Sequence, residues 1–412
     1  MKIARLEAHE AVRPPRKLEG KWWEIRRKYG LTEAASYGET IGRLMFALKV
    51  TTDDGLEGFN YGGGGVHSGS FGMGGLTGND LNMEQDITDG SAFASRTERL
   101  QGIWERIQGE DLLNTERLLS LGVGPMETCL WDLKGKHAAL PVHQLAGGAG
   151  RERIKAYASS YTDVGSPEEY ADHAQECLEM GYQAYKLHTY RCLDPRTMTL
   201  AGRNLASPDY DIEACRAVRD RVGDRMELML DPDTAYTLEQ AVRVGRELEK
   251  LRFKWFEAPM NEREHPERYA ELRRQVNVPI CGPESAPGSF YARAEWLRNG
   301  WTDIIRPGGG ISPMLKCMAL AQANHTQCET HGGGFSRVQA IATYPETVSE
   351  YYEMFLVTPG IHHMGCSFVP GGDPAFERGE ILVPRTPGMG FSPALWEYAV
   401  DNSVRSFELD AS

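Results

Sequence analysis

Three acidic residues each close a short strand-like run, and their even spacing constrains the fold of this chain more than any other feature. Asp231 ends the run MELMLD, Glu257 ends KWFE and Glu284 ends PICGPE. The intervals are 26 and 27 residues, which is about the length of one strand and one helix. Because consecutive strands of a parallel barrel are neighbours and end at one rim, we expect the three carboxylates to converge there.

Converging carboxylates repel one another unless a cation lies between them. A set of ligands that offers only oxygen atoms favours a hard divalent ion, Mg²⁺ before Ca²⁺ or Mn²⁺. The pattern therefore predicts one Mg²⁺ per subunit, with Asp231, Glu257 and Glu284 as its ligands.

Bulk composition excludes several classes of partner. The net charge of −13, without any run of Lys or Arg, argues against a nucleic-acid-binding surface. No stretch is apolar for the thickness of a bilayer and the first residues lack a signal-peptide core, so no membrane partner is expected. The eight Cys are isolated and form no CxxC, which is typical of reduced thiols in a cytoplasmic protein.

From about residue 150 the chain alternates strand-like and helix-like runs, and most strands lack polar residues until their last position. This pattern indicates an α/β fold with a closed parallel sheet whose functional residues lie at the carboxyl ends of the strands. The predicted strands cover residues 154–161, 184–190, 226–232, 254–259, 278–284, 303–308, 327–332 and about 355–364. The long segment 191–209 predicts a further element at the rim.

Residues 1–125 have a different predicted pattern of secondary structure, with alternating strand-like runs and one helical stretch. A polar segment there contains Trp22 and Trp23, and a glycine-rich tract over 61–75 contains His67. Composition favours a flexible loop for this tract, and the functional alternative is a mobile lid over a site. The tract does not match GxGxxG after a strand, so a nucleotide site is rejected. The tail is expected to pack back on this region.

Two further strand ends carry acid–base candidates. Alternation places Lys186 and His188 on one face of the second predicted strand, and Glu329 and His331 on one face of the seventh. These strands lie on roughly opposite sides of an eight-stranded ring, with the metal ligands between them. A metal that holds a substrate carboxylate stabilises the enediolate formed when the adjacent C–H loses its proton, and Lys and His are usual bases for this reaction.

Each candidate also has a structural alternative. Lys186 could be a barrel-interior lysine paired with Glu257 or Glu284, and His188 could be a satisfied interior histidine. Asp233 could be a ligand, but it could equally cap the helix that starts near Thr237. A lone acid at a strand end is usually a cap or a surface charge, whereas three in register in adjacent units favour a metal site.

The runs LDPD, WFEAP and GPES resemble the metal-binding strands of the enolase superfamily, and within it the mandelate racemase-like subgroup, which includes muconate lactonizing enzyme. The resemblance implies a modified (β/α)7β TIM-type barrel over 126–385. An N-terminal α+β capping domain is implied over 1–125, completed by the segment 386–412. The resemblance also implies that the protein forms a homo-oligomer, which would be a dimer, tetramer or octamer.

The resemblance implies roles for the flanking residues and shows three departures from the family. His188 takes the place of the usual base Lys, Lys186 that of the auxiliary Lys, and His331 that of the seventh-strand base. Gly308 falls where an Asp usually orients that histidine, and Glu329 is a candidate substitute on the same strand. The third departure is that the acid often found after the eighth strand has no equivalent near 363–370.

The leading hypothesis is Mg²⁺-dependent dehydration of an acid sugar, an aldonate or aldarate, or of a related 2-hydroxy carboxylate. His188, helped by Lys186, would remove the α-proton, and His331 would protonate the departing β-hydroxyl. The residues proposed to contact the substrate are Trp22, Trp23, His67, Asp233 and Glu329.

Three alternatives remain. The runner-up is racemisation or epimerisation at the same α-carbon, with His188 and His331 acting from opposite faces. Cycloisomerisation is disfavoured, because that subgroup keeps a Lys-x-Lys motif that is absent here. A barrel that binds metal without turnover is the non-catalytic alternative.

Overall fold

The computed structural model describes residues 1–12, 16–17, 19–28, 40–41, 44–63, 91–114, 118, 124, 126–148, 150–160, 164–189, 191–193, 200–205, 207–286, 289–362 and 369–411. Its strands are β1 Ile3–Val12, β2 Arg16–Lys17, β3 Thr40–Ile41, β4 Leu44–Thr52, β5 Glu57–Gly63, β6 Arg153–Ser160, β7 Ala184–His188, β8 Arg191–Leu193, β9 Leu200–Leu205, β10 Glu227–Asp231, β11 Trp255–Glu257, β12 Ile280–Cys281, β13 Ile304–Ile305, β14 Gln327–Cys328, β15 Tyr351–Thr358, β16 Ile361–His362, β17 Phe376–Glu377, β18 Glu380–Leu382 and β19 Ser403–Asp410.

Its α-helices are α1 Lys21–Lys28, α2 Ser91–Ile107, α3 Met126–His137, α4 Val142–Leu145, α5 Pro167–Glu179, α6 Pro208–Val222, α7 Leu238–Lys250, α8 Arg268–Arg273, α9 Ser289–Arg298, α10 Ile311–Ala323, α11 Phe335–Thr343 and α12 Pro393–Asp401. Within the described ranges, none of them combines the length and the apolar character needed to cross a lipid bilayer.

Eight parallel strands form the greater part of the 11-stranded large sheet, and a helix follows most of them. Their order is β14-β13-β12-β11-β10-β7-β6-β15, so strands consecutive in the chain are neighbours, as in a TIM-type ring. The predicted α/β class is confirmed. The first seven predicted strands overlap observed ones, although β12, β13 and β14 end three or four residues before their predicted ends. The eighth begins at Tyr351, ahead of the predicted start near 355.

The two edge strands of this sheet, β14 and β15, meet through a short set of hydrogen bonds. The N–H of Cys328 donates to the carbonyl of Val348 at 2.7 Å. The fully buried carboxylate of Glu329 accepts the N–H of Glu350 at 2.9 Å and of Tyr351 at 3.1 Å. Glu329 therefore links the seventh and eighth strands by satisfying backbone donors at their seam.

Side-chain alternation fills the inside of the ring with one apolar layer. Every residue of β7 is buried, and its alternation places Ala184 in the interior layer, two residues before Lys186. The layer consists of Tyr157, Ala184, Met229, Trp255, Cys281, Ile304 and Tyr351. Met229 and Trp255 likewise precede Asp231 and Glu257 by two residues, so this layer forms the floor beneath the charged groups.

A second, antiparallel sheet joins both ends of the described chain, in the order β19-β1-β4-β5. Strand β19 pairs with β1 from Arg5 opposite Asp410 to Glu10 opposite Arg405. Helices α2 and α3 cover this sheet with a shared apolar core that includes Leu48. The predicted domain boundaries at 125 and 385 stay predictions.

Helix α3 connects this sheet to the barrel. One side of the helix packs in the core of the antiparallel sheet, while Glu127 accepts the N–H of Ser312 at 2.7 Å, at the start of α10. Asp132 accepts the N–H of Phe59 at 3.0 Å and the N–H of Met389 at 2.7 Å. A single helix thus fixes the cap, the barrel and the C-terminal segment relative to one another.

The variant Glu329→Gln should make stability less dependent on pH. Burial raises the pKa of Glu329 from an ordinary value of 4.5 to about 7. The hydrogen bonds from the two backbone N–H groups act in the opposite direction and lower it. A raised folded-state pKa gives a stabilising contribution that is complete below the ordinary value and is lost as pH rises through about 7. The wild type should therefore lose roughly 2–3 kcal/mol relative to the variant between about pH 5 and pH 8.

Urea unfolding of the metal-free protein at both pH values measures this difference. The exposed Glu264, changed to Gln, is the matched control and should follow the wild type. Parallel pH trends for the wild type and Glu329→Gln would contradict the prediction.

Candidate metal and acid–base site

The three predicted acids come together at the carboxyl ends of neighbouring strands. Asp231 and Glu257 are the last residues of β10 and β11, and Glu284 lies three residues beyond β12. One carboxylate oxygen from each lies within 4.8 Å of the others. Asp231 and Glu257 are buried, whereas 26% of the Glu284 side chain is exposed. The cluster therefore opens toward solvent on the side of Glu284.

Lys186 is buried among these acids. Its Nζ lies 3.3 Å from Asp231 Oδ2, 3.0 Å from Glu257 Oε1 and 2.9 Å from Glu353 Oε1. Burial opposes its charge, but Glu257 and Glu353 raise the pKa of Lys186 well above its ordinary value. The ammonium group is therefore a permanent positive charge in the site.

Arg306 is a second buried cation, and the sequence pattern did not predict it. Its Nε lies 2.7 Å from Glu257 Oε1, and its Nη2 lies 2.8 Å from Glu353 Oε2. Its Nη1 donates to the carbonyl of Thr330 at 2.8 Å, directly before His331. Arg306 thus connects the fourth, seventh and eighth strands of the ring.

Glu353 is a fourth carboxylate that was also missed. Besides the two cations, it accepts the Ser159 hydroxyl at 2.9 Å and the N–H of Gly332 at 2.6 Å. Burial opposes its ionisation, but Arg306 and Lys186 hold the pKa of Glu353 well below its ordinary value. Because the eighth strand starts at Tyr351, alternation turns Glu353 inward, while the predicted start near 355 excluded it.

The charges of this cluster fit a divalent cation. If all four carboxylates are ionised, the two permanent cations leave two negative charges. Burial and the charges of Glu257 and Asp231 raise the pKa of Glu284 well above its ordinary value, so the acids compete for ionisation. An oxygen-only donor set with this charge suits Mg²⁺.

His188 lies between a carbonyl and a metal-ligand candidate. Its Nδ1 lies 2.6 Å from the carbonyl oxygen of Ser160, which only accepts, so this nitrogen carries a proton. Its Nε2 is 3.0 Å from Asp231 Oδ2. Its ring meets Phe355 edge-on, with centroids 5.4 Å apart. Nε2 is therefore the nitrogen that faces the acid cluster.

His331 faces the same cluster from the seventh strand. Its Nε2 lies 3.1 Å from Glu284 Oε1, and 43% of its side chain is exposed. The surrounding protein shields the ring from water, and this desolvation lowers the pKa of His331. The positive charges of Arg306 and Lys186 also lower it, whereas the negative charge of Glu353 raises it. Nδ1 has no hydrogen-bond partner among the described residues, and a Cβ built on Gly308 would lie 3.9 Å from it. Gly308 therefore lies beside Nδ1 of His331.

Two of the proposed substrate contacts, Trp22 and Trp23, have buried surroundings. Trp22 is 8% exposed, and its Nε1 donates to Glu176 Oε2 at 2.6 Å on helix α5. Its ring also meets His173 of the same helix. Trp22 therefore joins α1 to the outer layer of the barrel, because apolar packing and the hydrogen bond bury it there. Trp23 is 1% exposed, and its contact with a substrate stays a prediction.

Three other proposed contacts have different outcomes. Glu329 does not contact His331, because both of its oxygens bind the backbone of Glu350 and Tyr351. Helix α7 is capped by Thr237, so Asp233 is not its cap. The N–H of Asp233 instead donates to Asp231 Oδ1 at 2.9 Å. His67 lies outside the described residues.

Several known proteins resemble this chain. Residues 169–397 match the family described as enolase C-terminal domain-like. Arabinonate dehydratase of Saccharolobus solfataricus is 27% identical over 72% of this chain and 76% of that protein. D-gluconate dehydratase of Thermoproteus tenax is 27% identical over 64% of this chain, a match that spans about half, 53%, of that protein.

A solved structure extends the similarity to nearly the whole chain. D-glucarate dehydratase from Agrobacterium tumefaciens, complexed with magnesium, has a TM-score of 0.73 and 27% identity. The match covers 98% of this chain and 100% of that chain. The capping sheet and the barrel of this chain are therefore both covered by the match.

Binding of Mg²⁺ should release a proton, and the affinity should rise with pH. The raised pKa of Glu284 means that this carboxylate holds a proton more readily in the metal-free protein, and the ion must displace it. Calorimetric titration in buffers of different ionisation enthalpy measures the released protons. Glu284→Gln should weaken binding by roughly 10-fold or more and abolish the release. Equal proton release from the wild type and this variant would contradict the assignment.

Proposed function

The chain belongs to the enolase superfamily, in its mandelate racemase-like branch, and from this premise we propose that it is a Mg²⁺-dependent dehydratase of acid sugars. Relatives named for the dehydration of arabinonate and gluconate support the reaction class. The observation that carries the proposal is the acid cluster flanked by His188 on one side and His331 on the other.

Asp231, Glu257 and Glu284 would hold the ion. When bound, Mg²⁺ supplies positive charge beside a substrate carboxylate, which stabilises the negative charge that grows as the α-proton leaves. Lys186 and Arg306 both contact the Glu257 carboxylate directly, and Lys186 also contacts that of Asp231. Their role is to balance charge around the ligands.

His188 is the proposed base. The Ser160 carbonyl fixes Nδ1 as a protonated nitrogen, so Nε2 would receive the proton from the α-carbon once Asp231 Oδ2, which lies 3.0 Å from it here, is engaged by the ion instead. Lys186 stays protonated, because Glu257 and Glu353 raise its pKa. Its help to His188 is therefore electrostatic, and it does not compete as a base.

His331 is the proposed acid. The α-C–H bond breaks toward His188, the β-C–O bond breaks, and the His331 proton leaves with the hydroxyl as water. The enol product then tautomerises to a 2-keto acid. A lowered pKa makes the imidazole of His331 a weaker base. This direction favours dehydration over racemisation, which needs two competent bases.

Racemisation or epimerisation remains the second candidate, because histidines reach the cluster from both flanks. The decisive experiment incubates the purified protein and Mg²⁺ with aldonic and aldaric acids in deuterated water. Keto-acid formation supports dehydration, whereas deuterium at the α-carbon with inverted configuration and no keto acid supports epimerisation. Neither product across the set, from a protein that binds Mg²⁺, would support the barrel without turnover.

Replacing the two histidines should separate the two halves of the reaction. His188→Asn should lower both α-proton exchange and keto-acid formation by about 100-fold or more, because proton removal comes first. His331→Asn should lower keto-acid formation by a similar factor while exchange into the substrate persists. Proton NMR in deuterated water monitors both processes.

The exposed His265, changed to Asn, is the matched control and should leave both rates unchanged. Loss of exchange in His331→Asn, with full exchange in His188→Asn, would reverse the assigned roles.

Gly308→Asp should strengthen His331 as a base. The new Cβ meets its nearest atom, His331 Nδ1, at 3.9 Å, which is ordinary contact, so the carboxylate can reach the ring. An adjacent negative charge raises a histidine pKa. We expect epimerisation relative to dehydration to rise by about 10-fold. The variant Gly308→Asn is the control, because Asn has the shape of Asp without its charge. An equal product ratio from both variants would contradict this prediction.

A further inference from the structure

Glu284 differs from the other two metal-ligand candidates in its backbone support. Asp231 and Glu257 are strand residues, so the ladder of the parallel sheet fixes their positions. Glu284 lies beyond the end of β12 at Cys281, in a segment without regular secondary structure. Another set of contacts must therefore hold this carboxylate in place.

Side chains supply those contacts. Glu262, only 1% exposed, accepts the N–H of Glu284 at 2.8 Å and the N–H of Ser285 at 2.6 Å through Oε2. The same oxygen accepts the Ser285 hydroxyl at 2.9 Å. One buried carboxylate therefore binds both consecutive amide donors of the segment.

The carbonyls of the same segment are bound by two arginines. Arg293 Nη2 donates to the carbonyl of Glu284 at 2.6 Å, and its Nη1 donates to that of Ala286 at 3.0 Å. Arg263, the neighbour of Glu262, donates its Nε to the carbonyl of Ser285 at 2.9 Å. All three carbonyls from 284 to 286 are thus held from outside the segment.

Gly282 provides the space for this arrangement. A Cβ at this position would lie 2.9 Å from Glu262 Oε1, closer than side-chain carbons normally approach. The absent side chain allows the Glu262 carboxylate to lie directly beneath the segment that leads to Glu284.

We infer that Glu262 is a positioning residue for the metal site, assisted by Arg263 and Arg293. It does not belong to the ligand cluster, but it fixes the backbone at Glu284 so that the carboxylate is oriented before the ion arrives. The inference rests on the metal site of the proposed function and adds a dependence of Mg²⁺ affinity on a residue outside that cluster. Partners that orient ligands typically change metal affinity by about 10–100-fold when removed.

The test measures Mg²⁺ affinity by calorimetry, without substrate, in the full-length protein. Glu262→Ala should raise the Kd for Mg²⁺ by about 10–100-fold, and Glu262→Gln should raise it less, since its amide oxygen still accepts a hydrogen bond. Hydrogen exchange at the amides of Glu284 and Ser285 should accelerate in the Ala variant. Glu264→Gln, exposed on the same loop, is the matched control and should keep the wild-type Kd.

A folded Glu262→Ala variant with the wild-type Kd would overturn the inference. If that variant does not fold, Glu262→Gln with unchanged Kd and unchanged amide exchange overturns it instead. A merely structural role would lower the melting temperature of the metal-free protein while leaving the Kd of the folded protein unaltered.

The same data separate this inference from the proposed function. Weaker Mg²⁺ binding in the variants, without turnover of any acid sugar by the wild type, would leave the positioning role standing and remove the dehydratase. Wild-type protein that takes up no Mg²⁺ would remove both.

Discussion

The balance of buried charge at the barrel mouth is the interaction on which the site depends. Asp231, Glu257, Glu284 and Glu353 are gathered in a small volume with Lys186 and Arg306. Each acid alone would be costly to bury, and the two cations offset only part of the negative charge. The remaining negative charge attracts a divalent ion. The same charge balance therefore affects both the stability of the rim and its proposed chemistry.

Strand periodicity accounts for the part of the site that could be predicted from the amino-acid sequence. The three acids end their runs at regular intervals, and strand alternation puts Lys186 and His188 on the same face. The convergence of these five residues therefore followed from the barrel pattern alone. Glu353 was missed because the start of the eighth strand was set about four residues too late, which hid its inward direction. The burial of Trp22 could not be predicted because it depends on helix α5, a tertiary contact that local composition does not encode.

Buried acids in this protein have two distinct uses that a sequence cannot separate. Asp231 and Glu257 turn toward a shared centre, whereas Glu329 and Glu262 bind backbone amides. All four follow apolar runs or adjoin the rim, and only the positions of neighbouring N–H groups distinguish them. Glu329 was therefore assigned to the substrate, and Glu262 was not considered at all.

Strand β1 lies between β4, its near neighbour in the chain, and β19, which begins only at Ser403. During synthesis on the ribosome, the outer edge of β1 stays unpaired until the chain has emerged through Asp410. Open edges of this kind recruit strands from other molecules. The second edge of β1 therefore stays open while the whole barrel is being synthesised, and it closes only when β19 arrives.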